Sequence, residues 1–167
     1  GNYATRVAAD TQEGMYLKAD DVASTVGAWV RVTNGEWYAD WFGIPPDPGA
    51  AGAVPCQTQY NAMIAVGAID LPSKITFGVG IFAFTAAPSI PTWICEWAGV
   101  RGSQPTILMK FSYTELGNRG MFGLNDVGGY VHDISFQAGS GSGGALFSSI
   151  LTAGTPASGR LFVERCR

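Results

Sequence analysis

Apolar residues follow two different periods along the chain, and the change of period divides it. From Gln57 to Leu71 they fall at Tyr60, Met63, Ile64, Gly67 or Ala68, and Leu71. This is the i, i+3, i+4, i+7, i+11 stripe of an amphipathic helix, and Pro72 stands just past its predicted end. Beyond it the runs are short and β-like: Ile75-Thr76-Phe77, Ile81 to Phe84, Trp93 to Trp97, Thr106 to Met109, Met121 to Leu124, Tyr130 to Phe136, Ala145-Leu146-Phe147 and Arg160 to Glu164. Turns rich in Gly, Pro, Ser and Asn separate them, a pattern that fits a sandwich or a solenoid. The interval from Ile134-Ser135-Phe136 to Leu161-Phe162-Val163 is within the range of one solenoid coil.

Ahead of the helix the patterning is looser. Residues 1 to 26 read as a polar arm with one strand candidate, Met15-Tyr16-Leu17, too poor in apolar surface to fold alone. Ala28 to Val32 alternates, Asn34-Gly35 is a two-residue turn signal, and Trp37-Tyr38 resumes apolar character, so a β-hairpin is expected over about 28 to 41. Trp41-Phe42-Gly43 reads as a packing anchor followed by a sharp turn, the seam between leader and body. Trp41 is expected to be the buried anchor, worth ~3 to 5 kcal/mol. Three prolines, Pro45, Pro46 and Pro48, make a loop running to about Pro55.

Composition narrows the function. Apolar residues make up 47% and charged residues 14% of the 167, low for a monomer that must wet its whole surface, so the chain is expected to bury surface against copies of itself or a continuation. Its beginning at Gly1 and its end at Cys166-Arg167 in a strand-like run are those expected of a fragment or a processed product. Net charge is −3 and the ten Lys and Arg are scattered singly, which argues against nucleic-acid binding. No apolar run approaches the ~20 residues of a membrane span, and residues 1 to 20 lack signal-peptide order, so a soluble chain without membrane insertion is expected. Cys56, Cys95 and Cys166 match neither a zinc site nor a disulfide framework. Reduced, mostly buried thiols are expected, with an interchain or Cys56–Cys166 disulfide as the alternative.

Local chemistry is sparse. His132 is the single histidine, which excludes a histidine metal cluster. As strand neighbours, His132 and Asp133 should point to opposite faces and so form no triad, leaving a buried or interface histidine. No G-x-S-x-G elbow occurs. Gly139 to Gly144 matches G-x-G-x-x-G after a strand, but Ala145 to Thr152 is too short for the helix a dinucleotide site requires, so a loop is expected and no cofactor or metal is implied.

The order Trp29-Val30-Arg31, Trp41-Phe42-Gly43, helix, Ile75 to Phe82, then Val100-Arg101-Gly102-Ser103-Gln104-Pro105-Thr106-Ile107-Leu108 resembles the start of bacteriophage tail spikes and tail fibres built on the pectate-lyase-like right-handed β-helix. Val131 to Phe136 and Gly159 to Glu164 are similar to later coil strands. After Gly43 this chain has Ile44-Pro45-Pro46-Asp47-Pro48 where that family usually has a D-G-x-x-D-D-T turn.

The resemblance implies a mainly β chain: an N-terminal arm and hairpin over 1–41, virion-facing, then a capping helix and the first coils of a parallel β-helix over 42–167. It implies the N-terminal part, or a short adaptor version, of a homotrimer in the virion tail, assembled in the host cytoplasm, in contact with other tail proteins and attaching to host surface polysaccharide. Glycan-cleaving members use carboxylate pairs, ~5 to 9.5 Å apart in acid–base glycoside hydrolysis. Glu96, Glu115, Asp126, Asp133 and Glu164 are the acids on the coils. Strand alternation sends Asp133 away from the core, where it could meet Glu96 or Glu164. The competing reading is of solvated carboxylates. Tyr113 and Tyr130, with Trp93 or Trp97, are the candidate sugar-stacking rings, against the alternative of core or trimer packing. A polysaccharide depolymerase and a non-viral carbohydrate-binding β domain are the other functional readings.

Overall fold

A computed structural model describes residues 2–44, 55–86, 88, 94–102, 104–110, 122–124, 129–138, 147–149 and 161–167. The Pro45–Pro48 loop, Trp93, Tyr113, Glu115, Asp126 and the Gly139–Gly144 run lie outside these residues. The architecture is mixed α/β, with few helices and parallel sheets. Strands β3 (Glu36–Tyr38), β4 (Lys74–Phe77), β6 (Glu96–Gly99), β9 (Gly129–His132) and β12 (Leu161–Glu164) lie side by side in one five-stranded sheet. A second sheet joins β5 (Ile81–Phe84), β7 (Thr106–Met109) and β10 (Ser135–Ala138), and a third joins β8 (Phe122–Leu124) to β11 (Phe147–Ser149). Every pair within these three sheets is parallel. The chain visits the sheets in turn, and each return lays its strand beside the one from the previous visit.

Register explains the core. Trp37, Ile75, Trp97 and Val131 are successive Cα partners, and all four are buried. Phe82 and Ile107 do the same in the second sheet. Period-two alternation puts these rows on one face of each sheet, so the two sheets share a single apolar interior. Phe77 meets Phe82 at 5.2 Å and Trp97 at 5.1 Å between ring centroids, in tilted or edge arrangements that aromatic quadrupoles favour. Helix α2 (Gln57–Asp70) closes one end. It buries Tyr60, Met63, Val66 and Gly67, and the Tyr60 ring packs edge-on against Phe84 (5.2 Å) and Trp97 (5.8 Å). Leu71, expected on the buried stripe, instead ends the helix in the left-handed region (φ 53°) and is exposed.

The hairpin expected over 28 to 41 does not form. Gly35 does turn the chain (φ 82°), but its flanks part: β2 (Trp29–Val30) pairs antiparallel with β1 (Tyr16–Leu17), while β3 pairs parallel with β4. The arm is therefore docked. A short helix, α1 (Ala4–Ala9), that the polar pattern concealed precedes it. Its C-cap Asp10 is buried and accepts from the amides of Gly14 (3.0 Å), Met15 (2.6 Å) and Tyr16 (2.8 Å). Asp70 at the end of α2 holds the arm through Arg6 Nε (2.9 Å) and the Tyr16 hydroxyl. Burial, then the hydrogen bond to Asp70, pushes the Tyr16 phenol up to about 12.

Trp41-Phe42-Gly43 is a seam, with the anchor one residue later than expected. Phe42 is fully buried against Trp37 (5.3 Å), whereas Trp41 is partly exposed, set between the Tyr38 ring (5.0 Å) and the Arg31 guanidinium (4.7 Å). Gly14 lies against the Phe42 ring so closely that a Cβ there would stand 2.5 Å from Cδ1. Gly43 (φ 63°) ends the 3-10 turn at Ala39–Phe42. The three cysteines are free thiols: Cys56 buried, with burial pushing its thiol up to about 12, Cys166 partly covered and Cys95 exposed. Burial of most of them is thus not what the fold gives.

Candidate functional site

The outward face of the five-stranded sheet carries a polar ladder. Glu36, Lys74, Glu96 and Tyr130 are successive Cα partners, and in the parallel row Thr76, Ala98, His132 and Glu164 follow one another. Parallel in-register pairing stacks side chains of equivalent position, so alternating signs along a row bring opposite charges together. Lys74 Nζ bridges Glu36 (3.3 Å) and Glu96 (3.1 Å), and the Thr76 hydroxyl donates to Glu36 (2.6 Å).

At His132 the rows converge. Its Nε2 lies 2.9 Å from Glu96 Oε1 and its Nδ1 2.7 Å from Asp133 Oδ2. Ionised carboxylates offer only acceptors, so both contacts are satisfied together when each ring nitrogen carries a proton. The Tyr130 ring stacks on the imidazole at 4.4 Å. Arg165 grips Asp133 in a two-pronged bond, Nε to Oδ1 (2.6 Å) and Nη2 to Oδ2 (2.7 Å). Glu164 accepts from Arg165 and from the Tyr130 hydroxyl. The chain of contacts runs unbroken from β3 to β12.

One expectation about these residues is overturned by a backbone feature. The run Tyr130 to Phe136 is not a single strand: β9 ends at His132, Asp133 adopts φ 57°, and β10 starts at Ser135. The kink breaks strand alternation, so His132 and Asp133 do not point to opposite faces but touch, and the Asp133 carboxylate lies covered by His132 and Arg165 within the outward cluster. Gly99 makes room for it, since a Cβ there would lie 2.0 Å from the Asp133 carbonyl oxygen.

The surroundings set the charge states. Two hydrogen bonds from Arg165, then one from His132, hold the Asp133 carboxyl well below the usual carboxylate range. Burial alone would push Glu96 up, but its bonds with His132 and Lys74 outweigh that and lower it. Glu36 is likewise lowered, desolvation being overcome by Thr76 and Lys74. The hydrogen bond to Glu164 raises the Tyr130 phenol.

Of the residues singled out from sequence, Glu96, Asp133, Glu164 and Tyr130 meet in this cluster. Trp97 does not: it is buried in the core, on the opposite face of the sheet, and presents no ring to solvent. Tyr113 lies outside the described residues. Lys74, Thr76, Glu36 and Arg165 were not anticipated, and only register could have revealed them, because they come from three separate stretches of the chain that pairing brings together. No group of His, Cys, Asp and Glu fit to hold a metal occurs among the described residues, and no described helix is long and apolar enough to cross a membrane. Comparison with protein-family models, curated protein sequences and solved structures finds no match.

Proposed function

We propose that the chain is a virion structural protein: the N-terminal part of a bacteriophage tail spike or fibre, right-handed β-helical, trimeric, engaged in tail assembly and attachment to host surface polysaccharide. The observation that carries this reading is the order of strands. The chain lays β4 and β5, β6 and β7, then β9 and β10 alternately in two parallel sheets, each strand beside the previous one in its sheet. A chain that coils in this way builds a rod that repeats along one axis, a shape suited to projecting from a particle. The end-on position of α2 and the low charge content support the same reading.

The depolymerase reading gains nothing from the cluster. An acid catalyst needs a carboxyl whose pKa is raised, whereas Glu96 and Asp133 are both lowered, and the His132 imidazole fills the space between them. The polar ladder is read instead as a strand-to-strand clamp. Light scattering on the purified chain, with pull-down on bacteria bearing or lacking capsular or lipopolysaccharide glycan, tests the proposal. A trimer that sediments only with glycan-bearing cells is expected. A monomer indifferent to glycan overturns it.

A further inference from the structure

The exposed apolar residues are not spread evenly. Six of the ten large ones among the described residues are Leu17, Val26, Trp29, Val30, Val32 and Leu71, all on or beside the β1–β2 ribbon. The ribbon has two unlike faces. Leu17 and Trp29 are directly paired and share one face; Tyr16 and Val30 are paired on the other. Trp29 is 72% exposed, a large aromatic standing nearly free. The opposite face opens on a groove of about 380 Å³, bounded by Tyr16, Val30, Val32, Trp37, Leu71 and Pro72. Val32 at its rim is 92% exposed. A projecting indole and an apolar groove of small-ligand dimensions thus lie back to back on one element.

We infer that Trp29 of one copy seats in the groove of the next, so that the arm is a head-to-tail self-association site. Size and polarity agree: the groove exceeds one indole in volume, and apolar side chains make up most of its wall, with Arg31, Thr33 and Asp70 as its polar members. Charge agrees as well. The turn beside Trp29 carries exposed Asp20 and Asp21 with Lys18, a net negative balance, while the groove rim carries Arg31, a surface residue whose guanidinium lies on the Trp41 ring with its Nε bonded to the Gly14 carbonyl, and the groove's own carboxylate, Asp70, is already paired with Arg6. Because knob and groove are different surfaces, the contact is heterologous and closes into a ring when the rotation permits. The inference rests on the reading of the chain as self-associating, but not on its place in a tail or on glycan.

Sedimentation equilibrium of three forms tests it: the wild type, Trp29→Ala lacking the knob, and Val32→Glu blocking the groove, each checked for native circular dichroism. Both positions are exposed, so both variants should fold. The expected result is an oligomeric wild type, with self-association at least about tenfold weaker in each variant. An equimolar mixture of the two variants should form a one-to-one dimer and nothing larger, since it contains one intact knob and one intact groove per pair. If Trp29→Ala assembles as the wild type does, or if the mixture stays monomeric while the wild type does not, the Trp29 contact is overturned and self-association through another surface stands. A monomeric wild type overturns both.

Discussion

At Phe42 and Trp41 neighbouring aromatic residues play different parts, and burial separates them. Phe42 has no solvent exposure and touches Trp37 and the Gly14 backbone, while Trp41 lies between Tyr38 and Arg31 at the edge of the core. Emptying the Phe42 site by Phe42→Ala should cost ~3 to 5 kcal/mol. Trp41→Ala should cost less, about 1 to 2 kcal/mol, the scale of a desolvated cation–π contact and partial packing. Urea titration of both variants checks the order, and a larger loss at Trp41 would return the anchor to the position expected from sequence. The pattern could show that an aromatic anchor stood here. It could not show which ring pointed inward, because the 3-10 turn at Ala39–Phe42 follows neither the helical nor the strand period.

Among the elements, the break between β9 and β10 governs the polar ladder. Asp133 at φ 57° is unusual for a residue with a side chain, and Arg165 and His132 hold it there while Gly99 leaves space beneath its carbonyl. Gly99→Ala should force the kink aside, with a loss of about 1 to 3 kcal/mol from overpacking. In such a variant the imidazole resonances of His132 should shift, because its Asp133 contact depends on the kink. Unchanged histidine signals together with unchanged stability would show that Gly99 is not what accommodates the turn. In the sequence, Tyr130 to Phe136 reads as one uninterrupted strand, since a single Asp, although it tolerates the left-handed region, is a far weaker mark of it than a Gly. That one dihedral reverses the predicted relation of His132 to Asp133.

For the whole molecule, the ladder ties stability to acid. Asp133, Glu96 and Glu36 all have folded-state pKa values below their unfolded ones, so below pH ~4 the unfolded chain binds more protons than the folded chain. Their contribution is present above the unfolded values and lost as pH falls through the folded ones. Melting followed from neutral pH downward should therefore show a decline beginning near pH ~4, and the decline should be shallower in Glu96→Gln. An identical acid limb in that variant would mean that the clamp adds nothing to stability. By itself the sequence determined the α2 helix to within a residue of its end and several of the later strands, those at 74–77, 81–84, 106–109 and 161–164, at nearly their observed positions, because these depend on local period. Only the tertiary structure decided that β2 pairs backward with β1, that Trp97 faces inward, and that Glu36, Lys74, Glu96, His132, Asp133 and Arg165 form one chain of contacts. Those relations are set by which strand lies beside which, and parallel register between distant segments is fixed by packing of the shared core, not by any residue's neighbours in the chain.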